Sequence, residues 1–415
     1  MTPEIKQRIE QIRRGEVPEG YKKGKLGIVP EEWNETSFST LFTSTSEYTD
    51  DLDKYPLYSL TIEDGVTPKT ERYERSHLVK KEDSYKIVRP NDYAYNPMNL
   101  RFGAVARHKG DMPVAVSGYY DIFTTVHESD LPFMDSFLTC GPMITYYNRV
   151  STGSLVEKQR VHFSQFLEFM LPLPSINERT KIAAILTTQD RVIELKEKRL
   201  AEKQRQKKYL MQQLLTGKKR LPGFNGAWKT DCLGKLFFER KETNCENIEM
   251  LAITGTQGII PRKELDLKDN SSEDKSKYLR VCVGDIGYNT MRMWQGVSAY
   301  SNYEGIVSPA YTILKPSSSI NAKYFAYLFK MSEIVFLFYR FSQGLVDDTR
   351  NLKYENFKKI KVCYPPDIKE QTAIAEVLSA ADREIELLQQ DIEQEKQKKK
   401  ALMQLLLTGI VRVKT

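Results

Sequence analysis

One element written twice constrains this chain more than any other feature. LMQQLLTG at 210–217 returns as LMQLLLTG at 402–409. Upstream of both copies the match continues without a gap at a constant offset of 192 residues. Leu186 meets Leu378, Asp190-Arg191 meets Asp382-Arg383, Ile193-Glu194-Leu195 meets Ile385-Glu386-Leu387, and Pro174 meets Pro366. About 21 of the 44 positions between 174 and 217 are identical, so the chain contains a duplicated element.

The duplicated element has a helical pattern. Ile182, Ile185, Gln189, Val192/Ile193, Lys196 and Leu200 recur every three or four residues, as do Ile374, Val377, Ala381, Ile385, Leu388 and Ile392. Proline precedes each run and Thr-Gly closes it, which are start and stop signals. Forty residues of helix would be about 60 Å long. A single narrow apolar stripe on so long a helix needs a partner, and the sister helix is the expected one. The charged runs AEKQRQKK (201–208) and EQEKQKKK (393–400) carry no apolar seam and read as solvated faces. The apolar ends are wider than one seam needs, so they are expected to bury against something more than the sister helix.

The regions around the helices repeat more loosely. Trp33 stands nine residues before Phe42, and Trp228 nine before Phe237. YKIVRPNDYAYNPM (85–98) parallels YLRVCVGDIGYNTM (278–291), and VSGYYDIF (116–123) parallels VSPAYTIL (307–314). Short β-type runs broken by Gly, Pro and Asn predict strands and turns. The expected organisation is a lead-in with a short amphipathic helix (1–34), a globular part (35–170), the first long helix and its linker (171–228), a second globular part (229–360) and the second long helix (361–415). The fold class is α+β, with β-rich globular parts and long helices. Thr2-Pro3-Glu4 supplies the cap and first turn of the short helix, whose apolar face is Ile5, Ile9 and Ile12.

Composition narrows the function. With 415 residues, 40% hydrophobic, more than one domain is expected. No run approaches the length of a membrane span, and the opening MTPEIKQRIEQIRRG is too polar for a secretory signal. The five cysteines are scattered with no CxxC pair, and the four histidines have no ligand spacing. We therefore expect a reducing, cytoplasmic setting with neither disulfides nor metal. Phosphate loop, dinucleotide fingerprint, HExxH and GxSxG are all absent, and no nucleophile stands beside a base. No catalytic residue is expected; the chain reads as a protein that binds and organises.

Charge is unevenly spread. Of the formal net charge of +7, residues 171–228 carry 13 basic against 5 acidic groups, whereas residues 35–170 carry 14 against 19. Contacts to nucleic-acid phosphates must therefore come from local clusters. Two pairs of loops are the candidates. YNPMNLRFG (95–103) and YNTMRMWQG (288–296) place amide and guanidinium groups beside apolar or aromatic ones. STGSLVEKQR (151–160) and SQGLVDDTRNL (342–352) are hinged on glycine and carry an arginine. Arg reads guanine and Asn or Gln reads adenine from the major groove. The candidate DNA-contacting residues are Lys80, Lys81, Arg89, Asn96, Asn99, Arg101, Arg107 and Arg160 in the first globular part. In the second they are Asn289, Arg292, Trp294, Gln295, Arg340, Gln343 and Arg350.

On the W-x8-F entries, the paired helix starts PLPSINERTKIAAIL and YPPDIKEQTAIAEVL, and the two LLTG ends, the chain resembles the specificity subunits of type I restriction-modification systems. The resemblance covers nearly the whole length. It implies two target-recognition domains separated by two long antiparallel coiled-coil helices with pseudo-two-fold symmetry. It further implies that each domain reads half of a split, asymmetric site in double-stranded DNA. The partners would be two modification subunits, which methylate adenine, and a restriction subunit. S-adenosylmethionine and ATP would be used only by those partners, and the chain itself would hold no cofactor. The expected partner-subunit contacts are Ile5, Ile9 and Ile12, with Leu210, Met211, Leu214 and Leu215 on the first helix and Leu402, Met403, Leu406 and Leu407 on the second. The rival readings are a coiled-coil scaffold that binds no DNA and an orphan or inhibitory copy that occupies modification subunits without directing methylation.

Overall fold

The computed structural model describes residues 2–69, 85–155, 159–245, 248–255, 257–265 and 274–413. They form two compact units. The first comprises residues 1–196 and 391–415, the second residues 197–390. Each unit is a β-rich globular domain together with part of both long helices, Ile176–Leu214 and Ile368–Leu406.

The sheets of the two globular domains are built to the same plan. In the first unit, a four-stranded antiparallel sheet runs in the order 105–107, 93–95, 121–125, 42–45. In the second, the order is 298–300, 286–289, 311–316, 237–239. Strand for strand these are the regions matched loosely by sequence. In both units a flanking pair (34–37 with 170–173; 229–232 with 361–364) joins the chain entering the domain to the chain entering a long helix. The Phe of each W-x8-F entry lies in the sheet core, Phe42 at 2% and Phe237 at 0% exposure.

In both units the two helices meet antiparallel. In the first, the 176–196 segment lies against 391–406. Gln189 donates to Glu395 and Lys196 pairs with Asp391 and Glu395 at 2.8 and 2.9 Å. In the second, Lys203 pairs with Glu384 at 2.7 Å, and Lys207 pairs with Asp382. Lys399 pairs with Asp190 in the first unit. Because 399 and 190 are the duplicates of 207 and 382, one ion pair has been made twice. The charged runs are therefore not merely solvated: their lysines hold carboxylates on the sister helix. The apolar seam also shifts from the expected one. Ile182, Ala183, Leu186 and Ile193 are buried, but Ile185 is 38% exposed.

The wide apolar ends bury into the chain's own globular cores, and this corrects their assignment to partner subunits. Leu406 and Leu407 lie in the aromatic core of the first unit, with Leu402 and Met403 half-buried against it. Leu214 and Leu215 lie in the core of the second, with Leu210 and Met211 half-buried against it. At 2–4% exposure the four innermost leucines offer nothing to a partner. Each helix end closes a domain, and this needs the extra apolar width.

Past each helix the repeat continues into a clasp. Gly217 and Gly409, both with positive φ, turn the chain. A Cβ at Gly217 would stand 3.3 Å from the Trp228 ring, and one at Gly409 2.9 Å from Trp33, so each tryptophan lies on the glycine. Three residues on, Arg220 donates to Glu370 at 2.6 and 2.7 Å, and Arg412 donates to Glu178 at 2.7 and 3.0 Å. Glu178 also accepts from Trp33 Nε1 at 3.3 Å. Both glutamates are buried first-turn residues of the long helices. The Trp, the Thr-Gly stop and the Arg are thus parts of one device. At the other end of the chain, the Pro3–Arg13 helix is capped by the Thr2 side chain, as expected.

Candidate nucleic-acid interface

A shared tyrosine brings the two predicted loops of each domain together. Tyr95 donates its hydroxyl to Val161 O, and Val161 N donates to Pro97 O at 3.1 Å. Tyr288 donates to Leu352 O at 3.0 Å, and Leu352 N donates to Thr290 O at 2.8 Å. Both rings are fully buried, and burial pushes both phenols far above their ordinary range. The matching of Tyr95 with Tyr288 therefore reflects how each loop pair is tied at its root.

The first loop of each pair is a turn followed by a single 3₁₀ turn, Leu100–Phe102 or Met293–Gln295, closed by a left-handed glycine, Gly103 or Gly296. The shared asparagine builds this turn. Asn96 Oδ1 accepts from Met98 N at 3.1 Å and Asn99 N at 3.3 Å, and Asn289 Oδ1 accepts from Met291 N at 3.0 Å. Asn96 is also buried. These asparagines shape the loops rather than present an amide to a base.

Other candidates are likewise held within the chain. Arg107 makes a bidentate pair with Asp135, Nε to Oδ1 at 2.9 Å and Nη2 to Oδ2 at 2.7 Å, and donates to Asn91 at 2.6 Å. Tyr93 donates to the same carboxylate at 2.8 Å. Burial would raise the Asp135 pKa, but hydrogen bonds from Arg107 and the nearby Lys109 and Arg107 charges outweigh it and hold the carboxyl below its ordinary range. Arg107 is a structural arginine. Arg89 is exposed and pairs with Glu47. Lys80 and Lys81 lie outside the described residues.

The remaining candidates stay at the surface. In the first domain Asn99 is exposed, and Arg101, half-buried, lies over the Phe102 ring at 4.6 Å and donates to Gln159 at 3.1 Å. Arg160 anchors a short antiparallel bridge with Thr152. In the second domain Arg292, Gln295, Arg340 and Gln343 are exposed. Arg350 stacks on Tyr339 at 4.0 Å, its Nη2 donating to the tyrosine hydroxyl at 2.9 Å and its Nε to Asp347 at 2.9 Å. Trp294 also meets Tyr339, edge-on at 6.2 Å. The result is a half-exposed aromatic and guanidinium platform, which suits bases and phosphates alike.

Several surface groups at these loops escaped the sequence reading. The helix Ser332–Phe341, SEIVFLFYRF, leaves Phe336, Tyr339 and Phe341 exposed. Its signal was a run of aromatics more apolar than one buried face of a ten-residue helix can use. Among the described residues no group of His, Cys, Asp and Glu could hold a metal ion, and no helix is long and apolar enough to cross a membrane.

Two β-rich domains of one plan, each with a tied pair of polar and aromatic loops, can be compared with proteins of type I restriction-modification systems. A family model for the type I restriction modification DNA specificity domain matches residues 234–397. The putative type I restriction enzyme MjaX specificity subunit of Methanocaldococcus jannaschii is 24% identical over 438 aligned residues, spanning 96% of this chain and 98% of that protein. The fold is shared with the S subunit of a type I restriction-modification system from M. genitalium (TM-score 0.53, 13% identity, 92% of this chain and 97% of that one). It is shared equally with a chain from a structure of complex assembly and conformational transition of the type I R-M system (TM-score 0.53, 14% identity, 92% and 99%). The second globular domain thus matches the specificity-domain family model, and nearly the whole chain is similar to a specificity subunit.

Proposed function

We propose that this chain reads a bipartite, asymmetric site in double-stranded DNA, one half per globular domain. It positions two adenine-methylating modification subunits and a restriction subunit. The observation that carries this is the pair of tied loops made twice on domains that share a sheet order but differ in their exposed side chains. One domain offers Asn99 and Arg101 with Phe102; the other offers Arg292, Gln295, Arg340 and the Trp294-Tyr339-Arg350 platform. Different groups on one plan favour two different half-sites. Methylation and translocation chemistry, with S-adenosylmethionine and ATP, then belongs to the partners. Ile5, Ile9 and Ile12, half-exposed along the first helix, are the partner contacts we retain.

Co-expression with the neighbouring modification subunit, followed by mapping of methylated adenines, tests this reading. A split motif with unlike halves is expected, and a methylome without one refutes it. Exchange of residues 35–165 for those of another reader should change one half only. Helical insertions near 201 and 393 should lengthen the unread gap. A scaffold that binds no DNA would give a complex without salt-dependent affinity for duplex.

A further inference from the structure

The second loop of each pair is closed by one antiparallel bridge and carries an exposed leucine soon after its first bridge residue. In the second unit Gln343 and Asn351 exchange two backbone hydrogen bonds of 2.8 Å. In the first, Thr152 and Arg160 do the same at 2.9 and 3.0 Å. A glycine follows the first bridge residue in both: Gly344 at φ +131° and Gly153 at φ +149°, in the region that favours glycine. A Cβ on Gly344 would stand 2.6 Å from Thr349 O, so no other residue closes this loop. Beyond the glycine, Leu345 is 100% exposed and Leu155 is 55% exposed.

One exposed leucine needs no explanation. An exposed leucine soon after the glycine of the corresponding loop in both domains, one residue beyond Gly344 and two beyond Gly153, does, because their exposed side chains otherwise differ. Leu345 contributes nothing to packing, so folding does not account for it. Its surroundings define the occupant. The loop root carries Arg350 stacked on Tyr339, and Arg292 and Arg340 are exposed in the adjoining loop and helix. An exposed apolar side chain on a loop that also carries guanidinium groups suits a polyanion with stacked apolar steps. Proteins that bend DNA insert such side chains between base pairs, unstacking one step.

We propose that Leu345 and Leu155 are apolar wedges, each entering one base step of its own half-site in duplex DNA. This rests on the reading of the chain as a DNA specificity subunit. Unstacking by a wedge adds sequence preference at a step the protein does not hydrogen-bond, because the cost depends on the step deformed.

The test uses the complete complex with its modification subunits. The probe is a duplex bearing the methylome-mapped site, with 2-aminopurine at successive positions other than the methylated adenines. The native complex should raise fluorescence at one step in each half. Leu345→Ala should lose the second domain's signal and keep the first; Leu155→Ala should do the reverse; Leu345→Met should keep both. No enhancement in the native complex, or an unchanged signal in Leu345→Ala, overturns the wedge. Loss of a modification subunit from Leu345→Ala on size exclusion also overturns it, by showing a protein contact instead. A native complex that fails to bind the duplex at all refutes the DNA reading itself, which separates the two failures.

Discussion

Replacing Arg412 with alanine should loosen one unit and leave the other intact. Arg412 holds Glu178 through two hydrogen bonds of 2.7 and 3.0 Å and reaches Glu32 at 2.9 Å. Without it, the Glu178 carboxylate, whose side chain is 2% exposed, keeps only the Trp33 indole at 3.3 Å as a side-chain hydrogen-bond donor among the described residues. Removing one partner of a buried pair costs about 3–5 kcal/mol. The Arg412 side chain is 33% exposed, so water can partly replace it, and we take about 2–3 kcal/mol. For a unit of this size that is a drop in Tm of roughly 5–10 °C. Hydrogen exchange followed by mass spectrometry reads the effect locally. Faster exchange is expected in 21–37, 170–190 and 400–413, with 217–240 and 361–380 unchanged. Arg220→Ala, which strips Glu370 in the same way, should give the mirror result. Equal loosening of both units by either variant, or none by both, refutes the claim that each clasp serves its own unit.

Three more predictions follow from the same geometry. Arg107→Ala should lower thermal stability of the first unit by about 2–4 kcal/mol, because it leaves the mostly buried Asp135 with only the Tyr93 hydroxyl and the exposed Lys109; a stable variant that merely binds DNA less well would restore Arg107 as a DNA contact. Glu395 is held down to about 2 by hydrogen bonds from Gln189 and Lys196, against an ordinary value of 4.5. Its contribution is therefore full above about pH 4.5 and is lost as pH falls towards 2, and Glu395→Gln should flatten that acid limb in urea midpoints measured across pH. Burial pushes the Cys140 thiol up to about 12, whereas Cys363 is exposed, so iodoacetamide near pH 8 should label Cys363 and spare Cys140 in peptide mass spectra.

The frame was more legible than the site, for a physical reason. Helix phase, start and stop signals and the 192-residue offset are all local or periodic, and they gave the long helices and the doubled plan. What a side chain faces across the fold is not local. The leucines of LMQQLLTG and LMQLLLTG were recognised as too broad for one seam, yet nothing in the sequence said that a globular core, not a partner, covers Leu214, Leu215, Leu406 and Leu407. Arg107 looked like a phosphate contact because Asp135, 28 residues away, carries no pattern linking the two. Asn96 and Asn289 were found by their repetition, but repetition cannot tell a turn-building amide from a base-reading one.

The clasp and the helix ends also account for where the two copies have been kept alike. A residue such as Leu406 must fill a globular core, and Asp382 must pair with Lys207 while its duplicate Asp190 pairs with Lys399. Glu370 and Glu178 each answer an arginine 150 and 234 residues away, on opposite sides in the sequence. Any change in the helix thus has to suit a sister helix, a domain core and a clasp together. Most exposed loop residues answer to none of these, Arg292, Gln295 and Arg340 among them. Positions bound by several packing conditions resist drift, and positions facing only solvent or DNA can diverge without cost to folding. A closely similar frame carrying two unlike sets of surface groups is the expected outcome, and it is the pattern that the proposed asymmetric site requires.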